Sequence, residues 1–286
     1  MISATPLRLA VIGDPIAHSL SPLMHTAMLK ALGLDGSYEA VRVAADALPA
    51  WTGSPACRTL AGFNATMPHK LMLLDLVDEL DSQARAIGAV NTVAIRNGRL
   101  CGHNTDGTGF VAALQEQGVD PAGRRVALLG AGGAVRSIVA VLLAAGVAGV
   151  TLFSRRPEQS AELAAAFCGV KACQLDWQRL PDDLAGHDML VNGTSLGMQG
   201  MQQDFASTAF LAALPASGVV CDVVYRPQRT TLLAAAEALG LTAVGGTGML
   251  IHQGILALEH FLNCDLDRAA MARVVWEALR PRLENA

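Results

Sequence analysis

Short runs rich in β-branched residues alternate with longer Ala- and Leu-rich stretches from one end of the chain to the other. This alternation is typical of strands that pair in parallel through crossover helices, so the sequence predicts an α/β fold. The predicted strands are Arg8–Gly13, Tyr38–Val43, Gly62–Thr66, Asn91–Arg96, Arg99–Gly102, Gly149–Phe153, Met189–Asn192, Val219–Val224 and Thr242–Val244. Asn97-Gly98 favours a two-residue hairpin between two of these strands. Ser21-Pro22 predicts a helix start, with the Ser21 hydroxyl as cap.

One stretch, Ser137–Ser154, carries no charged side chain and reaches the length of the shortest transmembrane helices, about 18 residues. Turns at Gly146 and Gly149 interrupt it. We therefore interpret it as a buried helix, a turn and the next strand, and we expect no membrane partner.

The pattern of predicted strands and helices changes near Asp106. A strand, a glycine loop, an Ala/Val/Leu-rich helix and further strands follow this point, whereas roughly the last forty residues show only the helical patterns Met249–Leu262 and Leu266–Leu279. With no strand to extend a second sheet, we expect these helices to return to the first domain. The predicted domains are residues 1–105 with 246–286, and residues 106–245.

Composition excludes several classes of protein. Hydrophobic residues make up 52% of the chain and charged residues 16%, so disorder is not the main state. A net charge of −4 and 4% aromatic residues argue against nucleic acid as a partner. The first fifteen residues lack the basic start and long apolar run of a signal peptide, and six scattered cysteines form no zinc-spaced cluster. We expect a cytoplasmic protein with buried, reduced thiols and no metal site.

A glycine-rich loop follows one strand and opens a helix. Its residues are Gly130, Gly132, Gly133 and Ala134. Glycines allow a pyrophosphate to approach the backbone, and a helix N-terminus stabilises its charge. Val135 stands where a third glycine is expected, and a packing turn explains such a loop equally well.

Two arginines follow the next strand. Ser154-Arg155-Arg156 stands where NAD-binding proteins place an acidic residue against the ribose 2′-hydroxyl. Guanidinium groups at this position favour a 2′-phosphate and hence NADP. The alternative is that both are solvated loop arginines.

Small polar side chains recur in four otherwise apolar segments. These segments are Gly13–Pro22, Gly62–Lys70, Gly88–Thr92 and Asn104–Gly107. Hydroxyls and amides without a cluster of arginines suit a small polyhydroxylated ligand. Each also has a structural explanation: Ser21 as a helix cap, Asn64 and Asn91 as turn residues, Lys70 as a solvated lysine.

The motifs HSLSP, NATMPHK, GAVNTV, NTDG, GAGGA, VNGTSLGM, DVVYRP and GMLIHQG occur in this order. In order and spacing the chain resembles the shikimate dehydrogenase family over essentially its whole length. The resemblance implies a mixed α/β substrate domain, a Rossmann-type NADP domain and an active site in the cleft between them. It also implies the reversible reduction of 3-dehydroshikimate to shikimate, a step of aromatic amino-acid biosynthesis, by a monomer or homodimer.

The same resemblance assigns roles to individual residues. Lys70 matches the catalytic lysine and Asp106 its partner. The implied substrate-binding residues are Ser19, Ser21, Asn64, Thr66, Asn91, Tyr225 and Gln253. The implied cofactor-binding residues are Gly130, Gly132, Gly133, Ala134, Ser154, Arg155, Arg156, Thr194, Gly246 and Met249.

Several positions depart from the family pattern. Ser154 replaces the usual asparagine, Arg156 the usual threonine, and Ala65 interrupts the common N-V-T segment. These departures leave open quinate or another carboxylated ring as substrate. The alternative from another class is a non-catalytic NADP- or metabolite-binding regulator. It is also open whether Lys70 transfers the proton itself or polarises the oxygen while Asp106 or water relays it.

Overall fold

A computed structural model describes residues 6–284 of the chain. The strands are β1 Leu7–Gly13, β2 Gly36–Arg42, β3 Gly62–Ala65, β4 Glu79–Leu80, β5 Thr92–Arg96, β6 Arg99–His103, β7 Arg125–Leu129, β8 Gly149–Ser154, β9 Val170–Gln174, β10 Met189–Asn192, β11 Val219–Asp222 and β12 Thr242–Val244. The helices are α1 Ser21–Ala31, α2 Leu48–Gly53, α3 Pro55–Arg58, α4 Ser82–Ile87, α5 Asp106–Glu116, α6 Gly133–Ala144, α7 Pro157–Ala165, α8 Leu180–Leu184, α9 Thr231–Ala238, α10 Gly246–Leu262 and α11 Arg268–Leu283. The predicted α/β class is confirmed.

The described chain forms two compact units. The first comprises residues 6–106 with Ile251–Pro281, and the second comprises Gly107–Leu250 with residues 282–284. Each unit has its own six-stranded sheet.

The sheet of the first unit is mixed and has the order β2-β1-β3-β5-β6-β4. β1 pairs in parallel with β2 and β3, whereas β5 runs antiparallel to both β3 and β6. Between β5 and β6, Asn97 and Gly98 have φ values of 51° and 75°. Positive φ at both residues is the requirement of a type I′ turn, so the predicted hairpin is confirmed.

The sheet of the second unit is parallel throughout, in the order β12-β11-β10-β7-β8-β9. Along its central strand, Val126 and Leu128 belong to one buried apolar cluster, and Ala127 and Leu129 belong to another. Both faces of β7 are therefore covered, which explains why the strand reads as a continuous apolar run.

The uncharged segment Ser137–Ser154 divides as predicted, into the rest of α6, a turn and β8. Along the chain from residue 6 to residue 284, no helix combines the length and apolar character needed to cross a membrane.

The predicted cap of α1 is wrong. The N-cap is Leu20, which makes no side-chain cap hydrogen bond. The Ser21 hydroxyl instead bonds to the Tyr38 side chain, and the Ser21 N–H donates to Ser19 Oγ at 3.2 Å. The serine therefore serves a tertiary contact, which a helix-start pattern does not reveal.

The expectation of uniformly buried thiols is also wrong. Cys57 and Cys221 are buried, but Cys168 and Cys264 are exposed, and all six cysteines are free. The two exposed residues lie in turns that follow α7 and α10, where no core is available to cover them.

Candidate active site

The centre of the site in the first unit is an ion pair between Lys70 and Asp106. Lys70 Nζ donates to Asp106 Oδ2 at 2.6 Å, and the two side chains are only 17% and 7% exposed. A charge removed from water in this way needs its partner, since an unpaired one costs several kcal/mol. Asp106 also opens α5, where the helix dipole favours a carboxylate.

Asn91 holds the other oxygen of this carboxylate. Its Nδ2 donates to Asp106 Oδ1 at 2.8 Å, and its Oδ1 accepts the Thr105 N–H at 2.8 Å. The Asp106 N–H donates to Asn104 Oδ1 at 3.2 Å. Both carboxylate oxygens and the adjoining backbone are thus fixed, which prevents the carboxylate from turning away from the lysine.

Asn64 on β3 extends the network to β2. Its Nδ2 donates to Thr92 Oγ1 at 2.9 Å, and its Oδ1 accepts the Tyr38 hydroxyl at 2.7 Å. The His25 ring stacks on Tyr38 with centroids 4.1 Å apart, and burial lowers the pKa of His25 to about 3. A neutral ring therefore stacks on the Tyr38 end of a continuous hydrogen-bonded path from Tyr38 to Asp106.

Four residues predicted from the sequence are thereby brought together: Asn64, Asn91, Asp106 and Lys70. Sequence reasoning assigned no role to Tyr38 or Thr92. Tyr38 is opposite Leu9 and Asn64 is opposite Val11, on the two sides of β1. Only the register of three strands shows that the side chains meet, so no local motif could have identified Tyr38.

The other predicted substrate residues are more dispersed. Ser19 lies between β1 and α1, and Ser21 is the first residue of α1. Thr66 follows β3, and Gln253 lies on α10. Tyr225 follows β11 in the second unit, where burial raises the pKa of its phenol.

Gln253 is positioned by the packing of α10 on α1. A Cβ at the next residue, Gly254, would lie 2.2 Å from Met24 Cε. The glycine thus lets the two helices approach closely at this level of the fold.

The glycine loop of the second unit has the geometry of an anion site. Gly130 has a φ of 106°, and its N–H donates to Phe153 O at 2.8 Å, which ties the loop to β8. A Cβ at Gly132 would meet nothing within 4 Å. This open space adjoins the first turn of α6, whose N–H groups lack intrahelical acceptors.

Ser154 is the last residue of β8, and Arg155 and Arg156 follow it. Ser154 Oγ accepts the Arg156 N–H at 3.1 Å and lies 3.1 Å from Arg156 O. Ser154 is buried by this turn, while both arginines are exposed. The structure therefore presents two guanidinium groups at the carboxyl end of the strand beside β7.

Thr194 is held by a buried network at the ends of β10 and β11. Its hydroxyl donates to Asn192 Oδ1 at 2.6 Å, and Asn192 Nδ2 donates to Asp222 Oδ1 at 2.9 Å. Asp222 Oδ2 accepts the Thr230 hydroxyl at 2.7 Å. Burial raises the pKa of Asp222 to about 6, although these hydrogen bonds oppose the shift.

Gly246 and Met249 have packing roles in the structure. A Cβ at Gly246 would lie 2.3 Å from Val223 O, so no larger residue fits there without movement of the backbone. Met249 is 8% exposed and packs in an apolar cluster with Val135 and Val244. Their assignment to cofactor binding stays a prediction.

Comparisons with known proteins identify the family of the chain. Family models described as shikimate dehydrogenase substrate binding domain, shikimate / quinate 5-dehydrogenase and shikimate 5′-dehydrogenase C-terminal domain match residues 11–93, 112–206 and 246–275. A shikimate dehydrogenase (NADP(+)) from Brucella abortus is 43% identical over 255 residues, 88% of this chain and 88% of its own. The chain belongs to the shikimate dehydrogenase family. The resemblance inferred from the motifs is confirmed.

Solved structures of relatives share the fold. The shikimate 5-dehydrogenase of Thermus thermophilus, in complex with NADP(H) and shikimate, is 37% identical with a TM-score of 0.83, covering 96% of this chain and 100% of its own. The 5-ketofructose reductase of Gluconobacter sp. is 34% identical with a TM-score of 0.80, covering 96% and 99%. The same fold is therefore found in relatives named for different substrates.

We expect Asp222→Asn to remove a pH dependence of stability. With a pKa raised from 3.8 to about 6, Asp222 contributes stability that is full below about pH 4 and is lost as the pH rises through 6. Asparagine keeps the shape without titrating. The free energy of unfolding of the variant, relative to wild type, should therefore rise by about 2–3 kcal/mol between pH 4 and 7 in urea titrations. A difference that stays constant or falls with pH contradicts the assignment.

Proposed function

We propose that this member of the shikimate dehydrogenase family catalyses the reversible, NADP-dependent reduction of 3-dehydroshikimate to shikimate. The observation that carries the proposal is the buried Lys70–Asp106 pair, fixed by Asn91 at the second carboxylate oxygen. A structural ion pair does not require such a network, whereas a reacting group needs a fixed orientation. The names of the NADP-dependent relatives support the same reaction.

We assign residues 1–105 with 246–286 to substrate binding and residues 106–245 to NADP binding. The polar network around Asn64 and Asn91 supports the first role, and the glycine loop supports the second. Six free thiols suit a reducing compartment, so we place the enzyme in the cytoplasm.

The second unit fits NADP. Gly130, Gly132, Gly133 and Ala134 would hold the pyrophosphate beside the first turn of α6. Arg155 and Arg156 would pair with the 2′-phosphate, and Ser154 shapes the turn that exposes them. When bound, the reduced cofactor supplies the hydride.

The first unit suits a ring that carries several hydroxyls and one carboxylate. Amide and hydroxyl groups of Asn64, Thr66 and Asn91 would bond to the ring hydroxyls. Ser19 and Ser21 would bind the carboxylate; Ser19 Oγ accepts the Ser21 N–H, which leaves the Ser19 hydroxyl proton to donate. Gln253 and Tyr225 complete the proposed set.

Reduction of a ketone adds a hydride to carbon and a proton to oxygen. Lys70 Nζ would donate that proton. Its ammonium would also stabilise the negative charge that develops on the oxygen. Asp106 holds the ammonium in place. The hydrogen bond from Asn91 keeps the Asp106 carboxylate in a single orientation. The 17% exposure of Lys70 allows its proton to be replaced from solvent.

A substrate panel tests this function. We expect kcat/KM with NADP to be higher for shikimate than for quinate, and kcat/KM with NADPH to be higher for 3-dehydroshikimate than for 5-ketofructose, since discrimination is a ratio of these values. A higher value for quinate moves the assignment to a related carboxylated ring. Absence of turnover with all of them, alongside NADP binding, favours the non-catalytic regulator.

Lys70→Ala should lower kcat by about 10²–10⁴-fold, the usual contribution of a general acid–base group. Asp106→Asn keeps the shape and removes the charge that holds the ammonium, so the double variant should be much less impaired than the product of the two single effects. Steady-state kinetics on folded proteins measure both. A near wild-type kcat in Lys70→Ala refutes the role of the lysine.

Replacing Arg155 and Arg156 together with alanine should raise KM for NADP much more than KM for NAD. Each guanidinium would lose a charge-assisted bond to a phosphate that NAD lacks. Arg179→Ala, an exposed arginine on the same unit, is the matched control and should leave both values unchanged. Equal increases in KM for NADP and for NAD would show that the two arginines do not bind the 2′-phosphate.

A further inference from the structure

A second cluster of titratable side chains lies in the first unit and has no part in the proposed reaction. Asp81 precedes α4, His103 ends β6, and His260 lies in the last turn of α10. One possible ligand atom from each of the three lies within 4.8 Å of the others. Residues far apart in the sequence are thus brought to one point by three elements of the fold.

Asp81 and His103 form an oriented pair. Asp81 Oδ1 accepts the Ala84 N–H at 2.6 Å as the cap of α4, which directs Oδ2 towards His103 Nδ1 at 2.6 Å. When Nδ1–H donates to the carboxylate, the lone pair of the ring is on Nε2. That atom is buried, and no residue from 6 to 284 supplies it with a hydrogen bond. A buried acceptor without a donor is unusual and calls for a partner.

His260 offers a second imidazole at the same place. Its ring lies against that of His103, with centroids 3.9 Å apart and planes 17° apart. Both rings are partly buried. Two stacked imidazoles cannot both be charged without strong repulsion, whereas neutral imidazoles are ligands for metal ions.

The charges facing the cluster are nearly balanced. Arg96 Nη2 donates to His260 O at 2.9 Å, and Glu259 on the same helix is paired with Arg268 at 2.8 Å. Asp81 and Arg96 carry opposite single charges, so these side chains around the two rings have no net charge.

We propose that His103 and His260 bind one divalent cation of the zinc type through their ring nitrogens, with Asp81 as the carboxylate that orients His103, at a site formed by residues other than Lys70 and Asp106. Imidazoles are common ligands of such ions, with the further positions left to water, and a carboxylate on the second nitrogen of a ligating imidazole fixes its tautomer. Because the rings are stacked, one of them turns about its side-chain torsion so that both nitrogens face the ion. The ion ties the end of α10 to β6, three residues before Asp106.

Zinc titration of the full chain against a chromophoric chelator at pH 7 tests the site without using catalysis. The exposed Cys168 and Cys264 are first replaced by serine, since thiols bind zinc elsewhere. We expect one equivalent of Zn²⁺ to bind, and a rise in Tm because the ion binds the folded state. His103→Gln, His260→Gln and Asp81→Asn should each weaken binding at least about tenfold.

Two matched variants serve as controls. Glu79→Gln changes an exposed carboxylate two positions before Asp81, and His187→Gln changes a half-buried histidine of the second unit. Both should bind zinc as the parent does. Asn is itself a good N-cap, so Asp81→Asn preserves α4 and keeps the test decisive even where a histidine variant unfolds. The proposal is overturned where the parent binds no equivalent, or where Asp81→Asn binds as tightly as Glu79→Gln.

Discussion

The polar network of the first unit is centred on the Asp106 carboxylate. One oxygen faces Lys70 and the other faces Asn91, and Asn91 is itself held by Thr105. Removing either partner leaves part of a buried charge unsatisfied, which costs more than the bond contributes. The surrounding Asn64, Thr92 and Tyr38 complete a network in which each buried polar group has a partner. Satisfied networks of this kind are rigid, and rigidity is what a group that transfers a proton requires.

The second unit relies on backbone geometry more than on side chains. Its sheet is parallel and covered on both faces, so the carboxyl ends of β7, β8 and β10 lie along one edge. The glycine loop, the two arginines and Thr194 follow these three strands in turn. A ligand with a pyrophosphate and a 2′-phosphate would therefore meet its proposed partners along that edge.

The sequence predicted the elements well where the pattern was strong and local. The buried strand β10 and the short strand β12 were predicted with the observed bounds, and the Asn97-Gly98 turn follows from the chemistry of two residues. β9 was missed because it is a half-exposed strand at the edge of the sheet, with little apolar periodicity. Tyr38, the Ser21 contact and the Asp81–His103–His260 cluster were missed for another reason: each depends on a register or on a pairing of distant elements that no local pattern contains.

The β5–β6 hairpin has a consequence for how this site tolerates change. Asn91 precedes its first strand and Asp106 follows its second, and Thr92 stands directly opposite His103. The length of the turn therefore fixes how the two strands pair, and with it the separation between the Asn91 amide and the Asp106 carboxylate. A one-residue slip would send alternate side chains to the opposite face of the sheet. An exposed turn at the far end of a hairpin usually accepts insertions freely, but here the turn and the Asn91–Asp106 contact share one register, so a change of turn length that shifts the register would separate the two side chains.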